Sequence, residues 1–220
     1  MTDMRTEEEQ VEAIKNWWQK NGTGLVVTLV LVTGGWFGWN GYQDNKQAKG
    51  EAASMVYSQL IDTVAQPLSA QTDASRVQAQ ALAEQLITDF NDTVYGDFGQ
   101  LFSARFAADA GDYTAAIEQL QQLIGSSKQP AIVHSARARL ATLQVQTEQY
   151  DAALVTLSGN VDGAFLVQFE TIKGDAYWLQ GDTVSALAAY TRALTAAQES
   201  GASAQVLQRK IDHLVSTGEA

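Results

Sequence analysis

The chain has 220 residues, no cysteine, and 14 Lys+Arg against 25 Asp+Glu, a formal net charge of −11. The cysteine count excludes disulfides and thiolate chemistry, and the negative field excludes a basic nucleic-acid footprint. At 45% hydrophobic and 18% charged the average is that of an ordinary soluble protein, but the average conceals a split along the chain.

Residues 1–21 are polar and mostly acidic, with Asp3, Glu7, Glu8, Glu9 and Glu12. Thr6 and Glu9 have capping-box spacing, and Val11, Ile14 and Trp18 recur on one face, so a short amphipathic helix is expected. Residues 22–42 contain no Asp, Glu, Lys, Arg or His. About 20 mostly apolar residues suffice to cross the hydrocarbon core as a helix. Trp17 and Trp18 precede the run, and Trp36, Trp39 and Tyr42 close it, as interfacial aromatics do. Trp18 to Trp36 is roughly 27 Å at the helical rise, close to the thickness of that core.

A cleaved signal peptide is the competing reading. Its basic leader and apolar stretch of about 7–15 residues do not match the acidic leader and longer run found here. Retention as an anchor is therefore expected. Arg5, Lys15 and Lys20 lie before the span and Lys46 and Lys49 after it, a small bias toward a cytoplasmic N-terminus. Gly34 and Gly38 form a Gly-x-x-x-Gly pair that Gly41 extends. That face would let a second transmembrane helix approach; the other reading is the general frequency of glycine in spans.

Residues 43–220 form the soluble part, with 11 basic and 20 acidic residues, a net charge of −9. A chain of this size can bury its own core. Apolar residues at Ala53, Tyr57, Leu60, Ile61 and Val64, then at Ala79, Leu82, Ala83, Leu86, Ile87 and Phe90, have helical spacing. They predict a degenerate hairpin over 51–91, broken around Pro67.

From about residue 97 the chain repeats. Three turns, Gly111-Asp112-Tyr113, Gln149-Tyr150-Asp151 and Gly181-Asp182-Thr183, precede Ala116, Ala153 and Ala186. Each alanine is followed four residues later by a large side chain, Leu120, Leu157 or Tyr190. A period near 34 with this pattern is that of tetratricopeptide hairpins. Repeats are expected at about 97–125, 131–158 and 163–199. The third is the fullest, with Gly174, Tyr177, Ala186, Tyr190 and Ala193. Ala104 and Ala141 match Gly174, whereas Ala107 and Gln144 replace the aromatic and Asn160 replaces Ala193, leaving the middle unit degenerate. A cap over 203–216 presents Leu207, Ile211 and Leu214 inward. The expected fold is all-α: one N-terminal transmembrane helix, then a tetratricopeptide-like α-solenoid with a capping C-terminal helix.

No catalytic constellation emerges. His134 and His213 stand alone, no metal-ligand spacing occurs, and phosphate loops and nucleophile elbows are absent. Asp112 and Asp182 read as helix caps. Catalytic, cofactor-binding and metal-binding residues are accordingly expected to be none. Stacked hairpins instead offer a concave binding surface. Positions on the first helix of each hairpin that packing does not need are Phe98, Leu101, Arg105, Thr142 and Trp178. For Trp178 two readings stand: an exposed binding aromatic, or packing against the C-terminal helix.

Several stretches resemble the ancillary SecYEG translocon subunits, also called YfgM-like proteins. They are Glu7-Glu8-Glu9-Gln10-Val11-Glu12-Ala13-Ile14 with the Trp17-Trp18 pair, Gly34-Gly35-Trp36-Phe37-Gly38-Trp39, Tyr57, Tyr95-Gly96, Arg139-Leu140-Ala141 and Lys173-Gly174-Asp175-Ala176. The resemblance implies a single-pass bacterial inner-membrane protein with its tail in the cytoplasm and its repeats in the periplasm. It further implies association with the SecYEG translocon and with a membrane-anchored, prolyl-isomerase-like periplasmic chaperone, and assistance to exported polypeptides. No catalytic residues carry over. The expected function is a non-enzymatic membrane-anchored adaptor or co-chaperone. The alternatives are a structural scaffold for another envelope assembly and an enzyme whose site leaves no motif.

Overall fold

The structure, a computed structural model, describes residues 7–66, 72–161 and 163–216. Among these residues there are nine α-helices and no strand. The chain divides into a unit of residues 1–51 and a unit of residues 52–220.

The first unit is helical from Glu7 onward and is the leading part of α1 (Glu7–Val64). Thr6 and Pro67, assigned above to a capping box and a break, lie outside the described residues. Leu25, Val30, Leu31, Val32 and Phe37 are all exposed. Apolar side chains therefore project around the helix instead of forming one stripe, which is stable only in an apolar solvent. Two of its hydroxyls bond back to the helix itself, which suits hydrocarbon: Thr28 Oγ1 donates to Gly24 O at 2.8 Å and Thr33 Oγ1 to Leu29 O at 2.8 Å. α1 is the one helix among the described residues long and apolar enough to cross a membrane.

The second unit holds the end of α1 and then α2 (Asp73–Asp89), α3 (Val94–Asp109), α4 (Tyr113–Ser126), α5 (Pro130–Gln146), α6 (Tyr150–Thr156), α7 (Gly163–Leu179), α8 (Thr183–Ser200) and α9 (Gln205–Ser216). Short polar turns start α2, α3, α4 and α8 with side-chain caps. Thr72 and Ser75 form a reciprocal capping box, and Asp112 and Asp182 accept from the third amide of their helices at 3.0 Å. The hydrogen bonds from Ser185 hold the Asp182 carboxyl below its ordinary value. Each helix from α2 to α8 packs on its successor, and α3, α5 and α7 also touch in order. First helices thus line one side of a stack and second helices the other.

Each hairpin crosses at a small residue set against a large one. Ala104 and Leu120 are buried in the core of α3, α4 and α5, and Ala141 and Leu157 in that of α5, α6 and α7. In the third hairpin Gly174 faces Tyr190 so closely that an added Cβ would enter the tyrosine ring. The smallest residue thus accompanies the largest partner.

The turns between hairpin helices share one geometry. Gly111 and Gly181 adopt left-handed φ of 82° and 84°, and the amides of Asp112 and Asp182 reach back five residues to Ala107 O and Tyr177 O, both at 2.9 Å. This is the Schellman ending, which favours glycine. In the middle unit the left-handed residue is Glu148, φ 62°, with Gln149 donating to Gln144 O at 2.7 Å. The turn register is therefore Glu148-Gln149-Tyr150, one residue earlier than the alignment on Gln149-Tyr150-Asp151. Counting back five residues from Ala153 also reaches Glu148; the missing glycine had hidden the match.

The middle unit departs in two further ways. Gln144, in place of an aromatic, is buried and accepts from Thr156 Oγ1 at 2.8 Å, which satisfies both polar groups. α6 has only seven residues and ends before Gly159, φ 86°. Arg137 donates to Thr156 O at 2.8 Å and to Ser158 O, capping that short helix, while its guanidinium lies 5.1 Å from the Phe169 ring centre.

Gly174→Ala is expected to destabilise the fold by about 1–3 kcal/mol through overpacking. Adding Tyr190→Leu, the pairing of the other hairpins, should recover part of that loss in a double-mutant cycle read by urea unfolding. Glu148→Gly relieves a left-handed backbone penalty and should stabilise by about 0.5–1 kcal/mol, against a similar loss for Gly181→Ala.

Candidate protein-binding groove

The residues that follow the crossing positions on α3, α5 and α7 are Arg105, Thr142 and Asp175. Arg105 and Thr142 line one cavity of about 200 Å³. Its apolar floor is Ala104, Ala108, Leu120 and Leu143, and Arg139 of α5 and Gln168 of α7 complete the wall. Thr142 Oγ1 donates to Ala138 O at 2.9 Å, which keeps its lone pairs available as acceptors. Arg105 makes one exposed ion pair, to Asp109 at 3.5 Å, an arrangement of small energetic worth. Arg139 is crowded by the groove walls; burial first, and then the charge of Arg105, depress its basicity below the ordinary arginine value.

Arg105 also lines a second cavity of about 170 Å³ with Thr63 of α1, Ala79 of α2 and Phe106 and Asp109 of α3. The concave face therefore continues past Arg105 toward the start of the stack.

Asp175 is occupied. Its Oδ1 accepts from the Tyr190 hydroxyl at 2.6 Å and pairs with Lys210 of α9. Burial first, and then the bond to Asp175 and its charge, raise the Tyr190 phenol above its ordinary value. The last helix thus closes the groove at the third hairpin. Trp178 lies beside that closure: it lines a cavity of about 330 Å³ with Val206, Arg209 and His213, its ring meets His213 edge-on at 6.3 Å, and it remains 41% exposed. It both touches α9 and keeps a free face.

Phe98 and Leu101 stand elsewhere. Phe98 stacks on Tyr57 at 5.1 Å and meets Tyr95 edge-on at 6.3 Å, inside an aromatic cluster between the end of α1 and α3. Leu101 is buried in the core of α3, α4 and α5. The incoming end of α1 covers the face of α3 that a hairpin viewed alone leaves open. Arg139 and Gln168 were missed by sequence reasoning, although Arg139 is two residues before Ala141 and its register with Arg105 was available. Gly34, Gly38 and Gly41 have no neighbouring atom where a Cβ would project.

The buried carboxylate is structural in its contacts. Glu170 is 4% exposed and accepts from Lys173 Nζ at 2.7 Å and from Arg192 Nε at 2.7 Å. His134 packs between Phe165 and Phe169 at 5.4 and 6.0 Å. No group of three or more His, Asp or Glu that could hold a metal occurs among the described residues.

Paired helices crossing at small residues, a terminal closing helix and a leading apolar helix define a tetratricopeptide repeat-like protein with one helix able to cross a membrane. A family model described as a tetratricopeptide repeat-like domain matches residues 15–216. The ancillary SecYEG translocon subunit of Haemophilus influenzae is 30% identical over 210 residues, 94% of this chain and 97% of the relative. Proteins of the same name in Escherichia coli K12 and Neisseria gonorrhoeae are 27% and 26% identical over 208 residues, in each case 94% of this chain and 96% and 97% of theirs. No solved structure matches the chain. The chain belongs to the ancillary SecYEG translocon subunit family.

Replacing both Lys173 and Arg192 by glutamine leaves Glu170 buried without a cation. The double variant should lose about 3 kcal/mol of stability at neutral pH, measured by denaturant unfolding.

Proposed function

We propose that this chain is a non-enzymatic adaptor of the SecYEG translocon, anchored in the bacterial inner membrane by the span at residues 22–42 and acting through protein contacts of its repeat stack in the periplasm. The observation that carries the reading is full-length similarity to relatives named as translocon subunits, in a chain that joins an apolar helix to an open concave groove. A tether raises the local concentration of the groove beside membrane partners, so modest contacts suffice. The partners expected there are the translocon itself, a membrane-anchored prolyl-isomerase-like chaperone and exported polypeptides, which makes the protein a co-chaperone. The open face at Gly34, Gly38 and Gly41 suits docking of a partner span. The lysines and arginine before the span support a cytoplasmic N-terminus.

Removal of residues 1–42 should leave the helical content of the remainder and sharply reduce co-purification with SecYEG from detergent-solubilised membranes. Undiminished recovery would refute the role given to the anchor. A reporter fused after Ala220 should be active only in the periplasm; cytoplasmic activity overturns the topology.

A further inference from the structure

We propose that the groove between α3 and α5 docks an extended acidic polypeptide segment, gripping one Asp or Glu side chain between Arg105 and Arg139. The translocon-adaptor reading is the ground for choosing a polypeptide as occupant; the charge pattern comes from the site itself.

In this acidic chain most cations of the repeat stack are already engaged. Lys173 and Arg192 hold Glu170, Lys210 holds Asp175, and Arg137 caps α6. Arg105 and Arg139 line a cleft that has no carboxylate on its wall. They share one cavity, Arg105 has only its exposed pair with Asp109, and among the described residues no carboxylate pairs with Arg139. Two guanidinium groups lining one cleft repel, and a carboxylate placed between them turns that repulsion into two charge-assisted contacts. The surrounding negative charge turns away acidic segments elsewhere on the surface, so the arginine pair also sets where such a segment lands.

Shape selects the same occupant. The floor of Ala104, Ala108, Leu120 and Leu143 accepts an apolar side chain next to the acid. A concave cleft of about 200 Å³ between helices is inaccessible to a bilayer surface. The wall draws on α3, α5 and α7, two helix spacings of about 8–10 Å, which an extended segment of about six residues crosses. The cleft continues on both sides of Arg105, because that residue also lines the cavity toward α2. A segment that runs on past Arg105 toward α2 presents a side-chain carboxylate to the arginine pair.

The test uses the full-length protein in detergent micelles and a fluorescein-labelled ten-residue peptide, acetylated and amidated, with one central Glu flanked by Leu. Fluorescence anisotropy should report binding that weakens with salt, and that falls at least about tenfold when Glu becomes Gln or when the protein carries Arg105→Gln and Arg139→Gln. Neither arginine belongs to the buried core, so the double variant should keep the wild-type unfolding transition; an Arg105→Lys and Arg139→Lys variant should keep most of the binding. The proposal is overturned by absence of binding, by equal binding of the Gln peptide, by binding of a Gln peptide only when its C-terminus is free, or by arginine-dependent flotation with anionic vesicles. Co-purification of the unsubstituted protein with SecYEG separates this from the adaptor reading. A protein that binds the peptide but never co-purifies with SecYEG defeats the adaptor reading and leaves the docking site standing.

Discussion

Two helices of a hairpin can pack closely only where one of them yields volume, and every repeat in this protein depends on how that is arranged. Ala104 meets Leu120, Ala141 meets Leu157, and Gly174 meets Tyr190. The sum of the two side chains stays within a narrow range because interiors are packed at crystal-like density. Once the crossings are set, the first helices stand side by side and their next residues, Arg105, Thr142 and Asp175, project along one concave face. The groove is therefore a consequence of the crossing, displaced by a single residue along each helix.

The two ends of the stack are closed by different means. At the start, Tyr57 of α1 packs with Tyr95 and Phe98, Phe102 meets Phe106, and Leu60, Ala83 and Leu86 complete an apolar cluster. At the other end α9 buries Leu207 and Leu214 and sends Lys210 across to Asp175 and the Tyr190 ring, 5.2 Å from its centre. Repeat stacks need such ends because a hairpin with one uncovered apolar face is not stable in water. Between them lies the groove, with Arg105 and Arg139 on its wall.

Charge is used sparingly inside the stack. Glu170 is compensated by two cations and Asp175 by a cation and a phenol. Such buried networks fix geometry and are costly when broken, but they add little net stability over apolar packing. The degenerate middle unit follows the same economy. A Gln144–Thr156 hydrogen bond and the Arg137 cap replace the aromatic and the missing last turn of α6.

The sequence by itself determined the long apolar helix, the all-helical repeat pattern and the small residues where helices cross. Those features are local: an uncharged run, a three- to four-residue period, and a small residue spaced from a large one. The family was legible for the same reason, since its motifs are short contiguous stretches. Only the tertiary structure decided which surface residues are free. Leu101 became core between α3, α4 and α5, Phe98 was stacked on Tyr57 of α1, and Arg139 joined Arg105 across two helices. Asp175 was withdrawn from the groove by Lys210, 35 residues away. Each outcome depends on which element lies opposite, a long-range fact that no local period encodes.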